Sequence, residues 1–363
     1  MNEDQAGDGS SRRTHRVAVI PGDGIGVEVT HEACRVVDAV ARRHDFEVEW
    51  TAYDWSCERY LSTGQMMPED GLDQLRPYDA ILLGAVGYPG VPDHVSLWGL
   101  LIPIRRAFEQ YVNLRPVRLL PGVTSPLAGR GARDVAMTVV RENSEGEYSQ
   151  IDGRQGIGEH EMAIQTAVFT RRGVERVMRY AFELARQQGQ PLCSATKSNG
   201  IIHSMPFWDE VFADVARDYP DVAAEQCHAD ALAARMVLQP DRVGIIVASN
   251  LFGDLLSDLS AAIAGGLGVA PAANLNPERR YPSMFEAVHG SAPDIAGRGI
   301  ANPVAQILTA AMMLEHLGEV DAAAGVQRAV DTALSDPESR TPDLGGPATT
   351  TQCADAIIAA LDV

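Results

Sequence analysis

A short β-branched apolar run, residues 243–248, turns within two residues into a helical pattern that carries Asp254 and Asp258. Such runs form buried parallel strands, so a strand followed at once by a helix favours an α/β sheet. Residues four apart leave the same face of a helix, and two carboxylates placed there repel unless a cation separates them. Mg²⁺ and Mn²⁺ prefer oxygen ligands of this kind. A solvated acidic face is the alternative, although neighbouring leucines make most of this helix apolar.

Composition narrows the class of protein and of partner. The chain has 363 residues, 45% of them hydrophobic, and a net charge of −19. That size suits two globular lobes, and that charge disfavours nucleic acid and anionic membranes as partners. Five scattered cysteines without C-x-x-C spacing predict free thiols in a reducing cytoplasm. No apolar run reaches the length of a bilayer span, and residues 1–14 predict a disordered leader.

Other segments repeat the order of strand, turn and helix. Residues 16–20 form a strand pattern, the turn Pro21-Gly-Asp-Gly-Ile-Gly26 follows, and residues 27–43 form a helical pattern. The turn lacks the G-x-G-x-x-G spacing of a dinucleotide fingerprint, so it is either a tight connection or a backbone that approaches a ligand. We expect further strands at residues 80–84, 135–140 and 191–196, and helices at residues 171–187, 205–217 and 304–317.

Three arginines, Arg105, Arg115 and Arg141, follow apolar segments, and we expect them beside strand ends. The planar guanidinium fork matches a carboxylate bidentately. Each arginine alone is more often a surface residue, but three in an acidic chain favour a small anionic substrate. Lys197 follows a predicted strand and is either a base or an exposed loop lysine, and Asp230 is either a helix cap or a third carboxylate ligand.

The C-terminal third contains a glycine-rich loop, residues 285–303, with His289, Asp294 and Asn302. Glycines and small residues allow a loop to wrap a ligand. An aspartate can accept two hydrogen bonds from a ribose diol and would repel a 2′-phosphate. Taken from its residues alone, this is a large polar loop of unknown role.

Several long motifs, in the same order, resemble one enzyme family. They are His289-Gly-Ser-Ala-Pro-Asp-Ile-Ala-Gly297 with Ile300-Ala-Asn-Pro303, Ser249-Asn-Leu-Phe-Gly-Asp-Leu-Leu-Ser-Asp258, Pro21-Gly-Asp-Gly-Ile-Gly26 and Val140-Arg-Glu-Asn-Ser-Glu-Gly-Glu-Tyr148. The family is that of the metal-dependent β-decarboxylating dehydrogenases of 2-hydroxy acids, which act on isocitrate, 3-isopropylmalate, homoisocitrate, tartrate or D-malate. The resemblance covers nearly the whole chain after residue 15.

Within the family the chain is most similar to tartrate dehydrogenase/decarboxylase and D-malate dehydrogenase (decarboxylating). The segments that carry this likeness are residues 96–99, 113–120, 169–173, 194–200 and 274–279. Trp98 stands where isopropylmalate dehydrogenases usually have an acidic residue. A 3-isopropylmalate dehydrogenase is nevertheless the alternative, because Leu100, Leu101 and Ile102 leave room for an aliphatic substituent.

The resemblance implies a role for each matching residue. Tyr148 and Lys197 match the catalytic pair, and Arg105, Arg115 and Arg141 match the arginines that bind substrate carboxylates. The implied metal ligands are Asp230, Asp254 and Asp258, and the implied cofactor-binding residues are Ile25, Gly268, His289, Gly290, Ala292, Asp294, Ile295, Asn302 and Asp343. The pair Asp294-Ile295 is of the NAD type. Mg²⁺ or Mn²⁺ is the implied metal ion, and K⁺ is a further candidate cofactor.

The implied reaction is NAD-dependent oxidative decarboxylation of D-malate to pyruvate and CO₂, or oxidation of a tartrate. The implied fold is two-lobed α/β of the isopropylmalate dehydrogenase type, with a large mixed sheet and no true Rossmann domain. Residues 15–110 and 265–363 would form the cofactor-binding lobe, and residues 111–264 the dimerising lobe with the substrate and metal residues. Lys197 and Asp230 would reach the site of the other subunit in a homodimer. A cofactor-free metal lyase and a non-catalytic binding protein are the rival classes.

Overall fold

One mixed sheet of ten strands organises the protein, whose computed structural model describes residues 12–361. Its spatial order is β2-β1-β3-β12-β11-β4-β5-β10-β8-β9, and β6 and β7 form a separate two-stranded sheet. The strands are β1 (Arg13–Gly22), β2 (Phe46–Ala52), β3 (Ala80–Ala85), β4 (Val112–Arg118), β5 (Ala136–Glu142), β6 (Asp152–Gln155), β7 (Met162–Gln165), β8 (Leu192–Thr196), β9 (Ala224–His228), β10 (Ile245–Ala248), β11 (Pro271–Leu275) and β12 (Ser283–Ala287).

Helices cover both faces of the large sheet. They are α1 (Ile25–Ala41), α2 (Cys57–Thr63), α3 (Gly71–Leu75), α4 (Asp93–Ser96), α5 (Ile102–Ala107), α6 (Arg171–Gln188), α7 (Ser204–Ala216), α8 (Ala229–Leu238), α9 (Asn250–Ile263), α10 (Val304–His316), α11 (Val320–Ser335) and α12 (Thr350–Ala360). A π-helical turn, Leu97–Leu101, joins α4 to α5. Within residues 12–361, no helix is both long and apolar enough to cross a membrane.

The sheet has two parallel halves joined by an antiparallel centre. Strand β1 is parallel to β2 and β3, and β3 is parallel to β12. The pairs β12–β11, β11–β4 and β4–β5 are antiparallel, after which β5, β10, β8 and β9 are parallel again. This topology confirms a mixed α/β sheet. The strands divide between β11 and β4 as the predicted lobes do, and the lobe boundaries themselves stay a prediction.

The predicted strands and helices are present, with ends shifted by a few residues. Strand β1 begins at Arg13, so the last two residues of the predicted leader lie in the sheet, and residues 1–11 lie outside the described part of the chain. Local chemistry sets the helix ends. In α6 the Thr170 side chain accepts a hydrogen bond from the amide of Gly173, and Gly189 ends the helix in the left-handed conformation at φ 62°.

Apolar faces of the helices pack on the sheet and form its core. The long helix α6 buries Val174, Val177, Met178 and Phe182, all 0% exposed, because they recur at helical spacing. The ribbon of β6 and β7 is different, since every residue in its two strands is exposed. Ile157 at its tip is 90% exposed, so the arm projects from the core of the described chain.

Candidate active site

The segment that follows β5 is fixed by its own glutamates. Glu142 accepts hydrogen bonds from the amides of Ser144 and Glu145, and Glu145 accepts from the amide and hydroxyl of Thr170. Glu147 accepts from the Ser249 hydroxyl at 2.8 Å and from the amide of Leu251 at 3.0 Å, at the start of α9. Carboxylates are favourable at a helix N-terminus, so the segment and α9 are held together. The two motifs that carry Arg141, Tyr148 and the aspartates therefore form one unit.

Two of the predicted arginines and both helical aspartates meet in this unit. The Arg141 guanidinium is 3% exposed; its Nη1 donates to Asp254 Oδ1, and its Nη2 donates to Asn250 Oδ1 at 2.7 Å. Arg115 contacts Asp254 Oδ1 and Asp258 Oδ1, each at 3.2 Å. The Tyr148 hydroxyl donates to Asp254 Oδ2 at 3.3 Å, and its ring lies 5.6 Å from the Arg141 guanidinium carbon. The predicted common face of Asp254 and Asp258 is confirmed.

The third predicted arginine is joined to this cluster by a buried polar network. Arg105 donates to Glu286 Oε1 at 2.5 Å, and Asn274 donates to the same oxygen at 2.8 Å. Asn113 in turn donates to Asn274 Oδ1 at 3.0 Å and accepts from Arg115 Nε at 2.7 Å. Because buried polar groups are costly unless paired, this chain of bonds fixes the orientation of both arginines.

Burial and charge shift three pKa values in the cluster. Burial and then the charge of nearby Arg115 lower the pKa of Arg141 to about 10, although the Asp254 carboxylate acts in the opposite direction. Burial and then the Asp254 carboxylate raise the pKa of Tyr148, so its hydroxyl keeps its proton at neutral pH. Burial also raises the pKa of Asp258, against the effect of Arg115.

Lys197 and Asp230 form a separate pair. Lys197 Nζ lies 2.7 Å from Asp230 Oδ1, and the two side chains are 33% and 69% exposed. The Lys197 ammonium lowers the pKa of Asp230. Within residues 12–361, no group of three His, Cys, Asp or Glu side chains comes together to hold a metal ion. A single chain thus brings two of the three predicted metal ligands together and leaves the third apart.

The predicted cofactor residues fall into two groups, one apolar and one polar. Ile25 packs with Ala292 and Ile295, and its amide donates to the carbonyl of Ser291 at 2.8 Å. A side chain on Gly24 would lie 2.1 Å from that carbonyl oxygen, so the early glycine turn packs closely against the loop at residues 289–302. The polar group contains Gly268, Asn302 and Asp343: Asn302 Nδ2 donates to Asp343 Oδ2 at 2.9 Å, and a Cβ on Gly268 would lie within 3.3 Å of both side chains.

Three residues of the loop leave polar atoms or open space available to a ligand: His289, Gly290 and Asp294. His289 Nδ1 lies 3.0 Å from the carbonyl of Gly290, and its buried Nε2 has no hydrogen-bond partner within residues 12–361. Burial lowers the pKa of His289, so the ring is neutral at pH 7. Gly290 has open space where a side chain would be, and Asp294 is exposed with no ion pair in the described chain.

Two expectations about placement are wrong. Of the three arginines, Arg141 alone lies near the end of its strand, whereas Arg115 is in the middle of β4 and Arg105 is in α5. The apolar run before Arg105 forms a helix and not a strand. Its spacing is compatible with both, so the sequence pattern could not distinguish them. Asp230 is not a helix cap: His228 occupies the cap position of α8, and the Asp230 carboxylate bonds to Lys197 instead.

Sequence reasoning missed the polar residues that orient the arginines. Asn113, Asn274 and Glu286 lie inside buried strands, where a polar side chain needs a partner. Their position inside apolar strand patterns was the sequence signal that could have identified them, because a glutamate in such a pattern is rare without a cation to pair with. Asn250 was also missed, although it begins the helix that carries the aspartates.

Comparison with known proteins gives the family. Residues 16–358 match the family described as isocitrate/isopropylmalate dehydrogenase. The chain belongs to this family. It is therefore an oxidoreductase of the decarboxylating dehydrogenase type, as the motifs predicted. Among solved structures, isocitrate dehydrogenase from Methylococcus capsulatus is similar with a TM-score of 0.87 and 36% identity, over 96% of this chain and 100% of that one.

Two curated relatives with high sequence identity have names that specify a substrate. D-malate dehydrogenase [decarboxylating] of Escherichia coli (strain K12) is 54% identical over 95% of this chain and 98% of its own length. Tartrate dehydrogenase/decarboxylase of Pseudomonas putida is 53% identical over 94% of this chain and 96% of its own length. The likeness to these two kinds of enzyme, predicted from short segments, is confirmed over 94–95% of the chain.

Proposed function

We propose that this protein is an NAD-dependent and divalent-metal-dependent dehydrogenase that oxidises a 2-hydroxy diacid. D-malate, converted to pyruvate and CO₂, and a tartrate are the proposed substrates. One observation supports the proposal most directly. The buried side chains of Arg115 and Arg141 both contact Asp254, and a polar network through Glu286 connects this cluster to Arg105. Arginines so placed bind carboxylates, and the substrates named for the relatives above are small hydroxy diacids.

The donor set fits a hard divalent cation. Asp254 and Asp258 offer carboxylate oxygens one helical turn apart, and at present arginines neutralise them. Substrate carboxylates would compete for the same guanidinium groups and leave the aspartate oxygens to Mg²⁺ or Mn²⁺. When bound, the ion supplies a Lewis acid that lowers the pKa of the substrate hydroxyl. Asp230 of a second subunit would complete the ligands.

The chain's own residues position the substrate and handle protons. Arg105, Arg115 and Arg141 orient the carboxylates, and orientation of this kind lowers barriers by several kcal/mol. Tyr148 keeps its proton because of burial and Asp254, so it is suited to protonate carbon after CO₂ departs. Lys197, on the edge of the partner's site, would accept the hydroxyl proton.

The loop at residues 289–302 fits NAD. The unpartnered Nε2 of His289 can accept a hydrogen bond, and the exposed carboxylate of Asp294 can accept two from a ribose diol. The same negative charge disfavours the 2′-phosphate of NADP. NAD, when bound, accepts the hydride from the substrate carbon.

A homodimer that shares its sites is part of the proposal. Lys197 follows β8 and Asp230 lies in the first turn of α8, and together they form a pair away from the other site residues. Ile202 is 67% exposed, Leu238 69% and Leu255 62%, which is unusual for aliphatic side chains on three neighbouring segments. A second copy would cover them and bring Asp230 to the helix that carries Asp254.

The structure gives little support to an aliphatic substrate. Leu100 is 0% exposed and belongs to a hydrophobic core cluster, and the partly buried Leu101 packs against the same cluster, so neither is free to form an apolar wall for an isopropyl group. Trp98 instead stacks with Arg106, whose guanidinium carbon lies 5.1 Å from the ring.

We also place the protein in the cytoplasm, a proposal supported by five unpaired cysteines.

The direct test measures NADH formation with Mn²⁺ and K⁺ present, comparing kcat/KM for D-malate, L-tartrate, meso-tartrate, 3-isopropylmalate and isocitrate. Preference for D-malate or a tartrate is expected. Preference for 3-isopropylmalate would overturn the substrate proposal, and CO₂ release from these diacids without any NADH would favour the cofactor-free lyase.

A second test uses matched variants. Asp254→Asn should abolish metal-dependent turnover and weaken Mn²⁺ binding, whereas Lys197→Ala should lose the hydride step and keep most of the Mn²⁺ affinity. Asp221→Asn is the control, because this exposed carboxylate has no ion pair in the described chain. Wild-type rates for Asp254→Asn at saturating Mn²⁺ would refute the metal assignment, and absence of Mn²⁺ binding by the wild type would favour a binding protein.

A further inference from the structure

A second cationic cavity lies away from the site described above. Its volume is about 310 Å³, and its lining contains three arginines, one carboxylate and two histidines: Arg76, Arg279, Arg280, Asp79, His15 and His316. We name it the arginine cavity. Three arginines and one carboxylate give a local positive charge in a protein whose net charge is −19. The volume is at the lower end of the range for small-molecule sites, roughly 300–1,000 Å³.

The loop between β11 and β12 presents two of these arginines in a fixed conformation. Asn276 Oδ1 accepts hydrogen bonds from the amides of Arg280 at 2.8 Å and Tyr281 at 3.3 Å, and the Asn276 carbonyl accepts from the amide of Arg279 at 2.9 Å. Arg279 has φ 54°, a conformation that non-glycine residues adopt only where the surroundings hold it. These hydrogen bonds therefore fix the backbone that carries the two guanidinium groups before any ligand binds.

The three arginines differ in how their charges are neutralised. Arg76 stacks on Phe108 and Tyr281, and its Nε lies 3.8 Å from the exposed Asp73 carboxylate. Arg280 donates to Glu109 at 2.7 Å. The third, Arg279, makes no ion pair in the part of the chain that the structure describes. The positive charge of Arg279 contributes to the lowered pKa of His316, which lines the same cavity. Within the described residues, Arg279 is thus an unpaired cation beside the cavity.

The arginine cavity and the active site lie at opposite ends of one strand. Pro282 lines the cavity and directly precedes β12, and Glu286 near the other end of β12 binds Arg105. Four residues of extended strand span about 13 Å at a rise of roughly 3.3 Å per residue. The cavity is thus a separate site on the same strand.

We propose that the arginine cavity binds a small multivalent anion, whose carboxylate or phosphate oxygens are held by the forks of Arg76 and Arg279. Planar guanidinium groups bind both kinds of oxygen bidentately. An anion there would supply the missing partner of Arg279. Neutral His316, with its pKa lowered to about 4 by burial and by Arg279, would add a hydrogen-bonding nitrogen without a charge.

The test is calorimetric titration of the full-length protein with inorganic pyrophosphate and, separately, with citrate, without added divalent metal. Arg279→Gln should weaken binding of the preferred anion by roughly tenfold, which is the loss of one charge-assisted contact. The matched control is Arg133→Gln, since Arg133 is likewise exposed and has no ion pair among residues 12–361. The control should bind as the wild type does.

The outcomes separate the ligand classes and the sites. If the wild type binds pyrophosphate more tightly than citrate and Arg279→Gln weakens that binding, the ligand is a phosphate compound. If it binds citrate more tightly and Arg279→Gln weakens that binding, the ligand is a polycarboxylate. Equal affinity in Arg279→Gln and Arg133→Gln would mean that the anion binds at the substrate arginines or to general surface charge, which overturns the proposal. No binding of either anion by the wild type at about 10 mM would also overturn it.

Discussion

Gly253 in α9 is predicted to control the position of Arg141. A Cβ at Gly253 would lie 2.6 Å from both Cβ and Cγ of Arg141, whereas ordinary contacts are 3.4–4 Å. Gly253→Ala therefore requires Arg141 to move by about 1 Å. Alanine gains about 1 kcal/mol of helix propensity, and overpacking costs about 1–3 kcal/mol, so the net loss in the free energy of unfolding should be about 0–2 kcal/mol. Activity should suffer more, because a 1 Å misplacement can cost about 100-fold in rate.

The assay compares kcat/KM for D-malate with the free energy of unfolding in urea. Gly325→Ala in α11 is the control, because a Cβ at Gly325 would meet nothing closer than 3.9 Å. That variant should be as active as the wild type and up to about 1 kcal/mol more stable. If Gly253→Ala keeps kcat/KM within about threefold of the wild type, the placement of Arg141 does not limit catalysis and the reasoning fails.

Three further predictions concern other parts of the molecule. Glu286→Gln should raise KM for the diacid more than it lowers kcat, because Arg105 loses the carboxylate that orients it; an unchanged KM would contradict this. Burial lowers the pKa of His316 to about 4, while the unfolded state takes up its proton near pH 6.5. The free energy of unfolding should therefore fall by about 1–3 kcal/mol between pH 6.5 and 4, and His316→Asn should fall less, which urea titrations at both pH values can check. Leu238→Lys, on the surface proposed to meet a second copy, should shift sedimentation towards monomers, whereas Leu61→Lys, which changes another exposed leucine, should not.

The sequence predicted those parts of the fold that depend on local periodicity and on motifs. Residues 243–258 show this, since an apolar strand and a helix with two aspartates on one face are both set by spacing. The position of Arg115 in the middle of β4 could not be predicted, because β4 pairs with β11, more than 150 residues away in sequence, and no local pattern specifies that neighbour. The buried bond between Arg105 and Glu286 was missed for the same reason, because it joins residues from distant segments of the sequence.

The sheet is open, and its two end strands, β2 and β9, leave one row of backbone groups without a strand partner within residues 12–361. Such edges can pair with the edge of another molecule and start aggregation. Here both edges carry charge: Glu47 and Glu49 alternate along β2 and are exposed, and Glu225 on β9 is paired with Arg235. Extending the sheet at β2 by pairing with the same edge of another copy would bring these glutamates together, so their charge opposes such pairing. Replacing Glu47 and Glu49 by threonine would keep the strand and remove that protection.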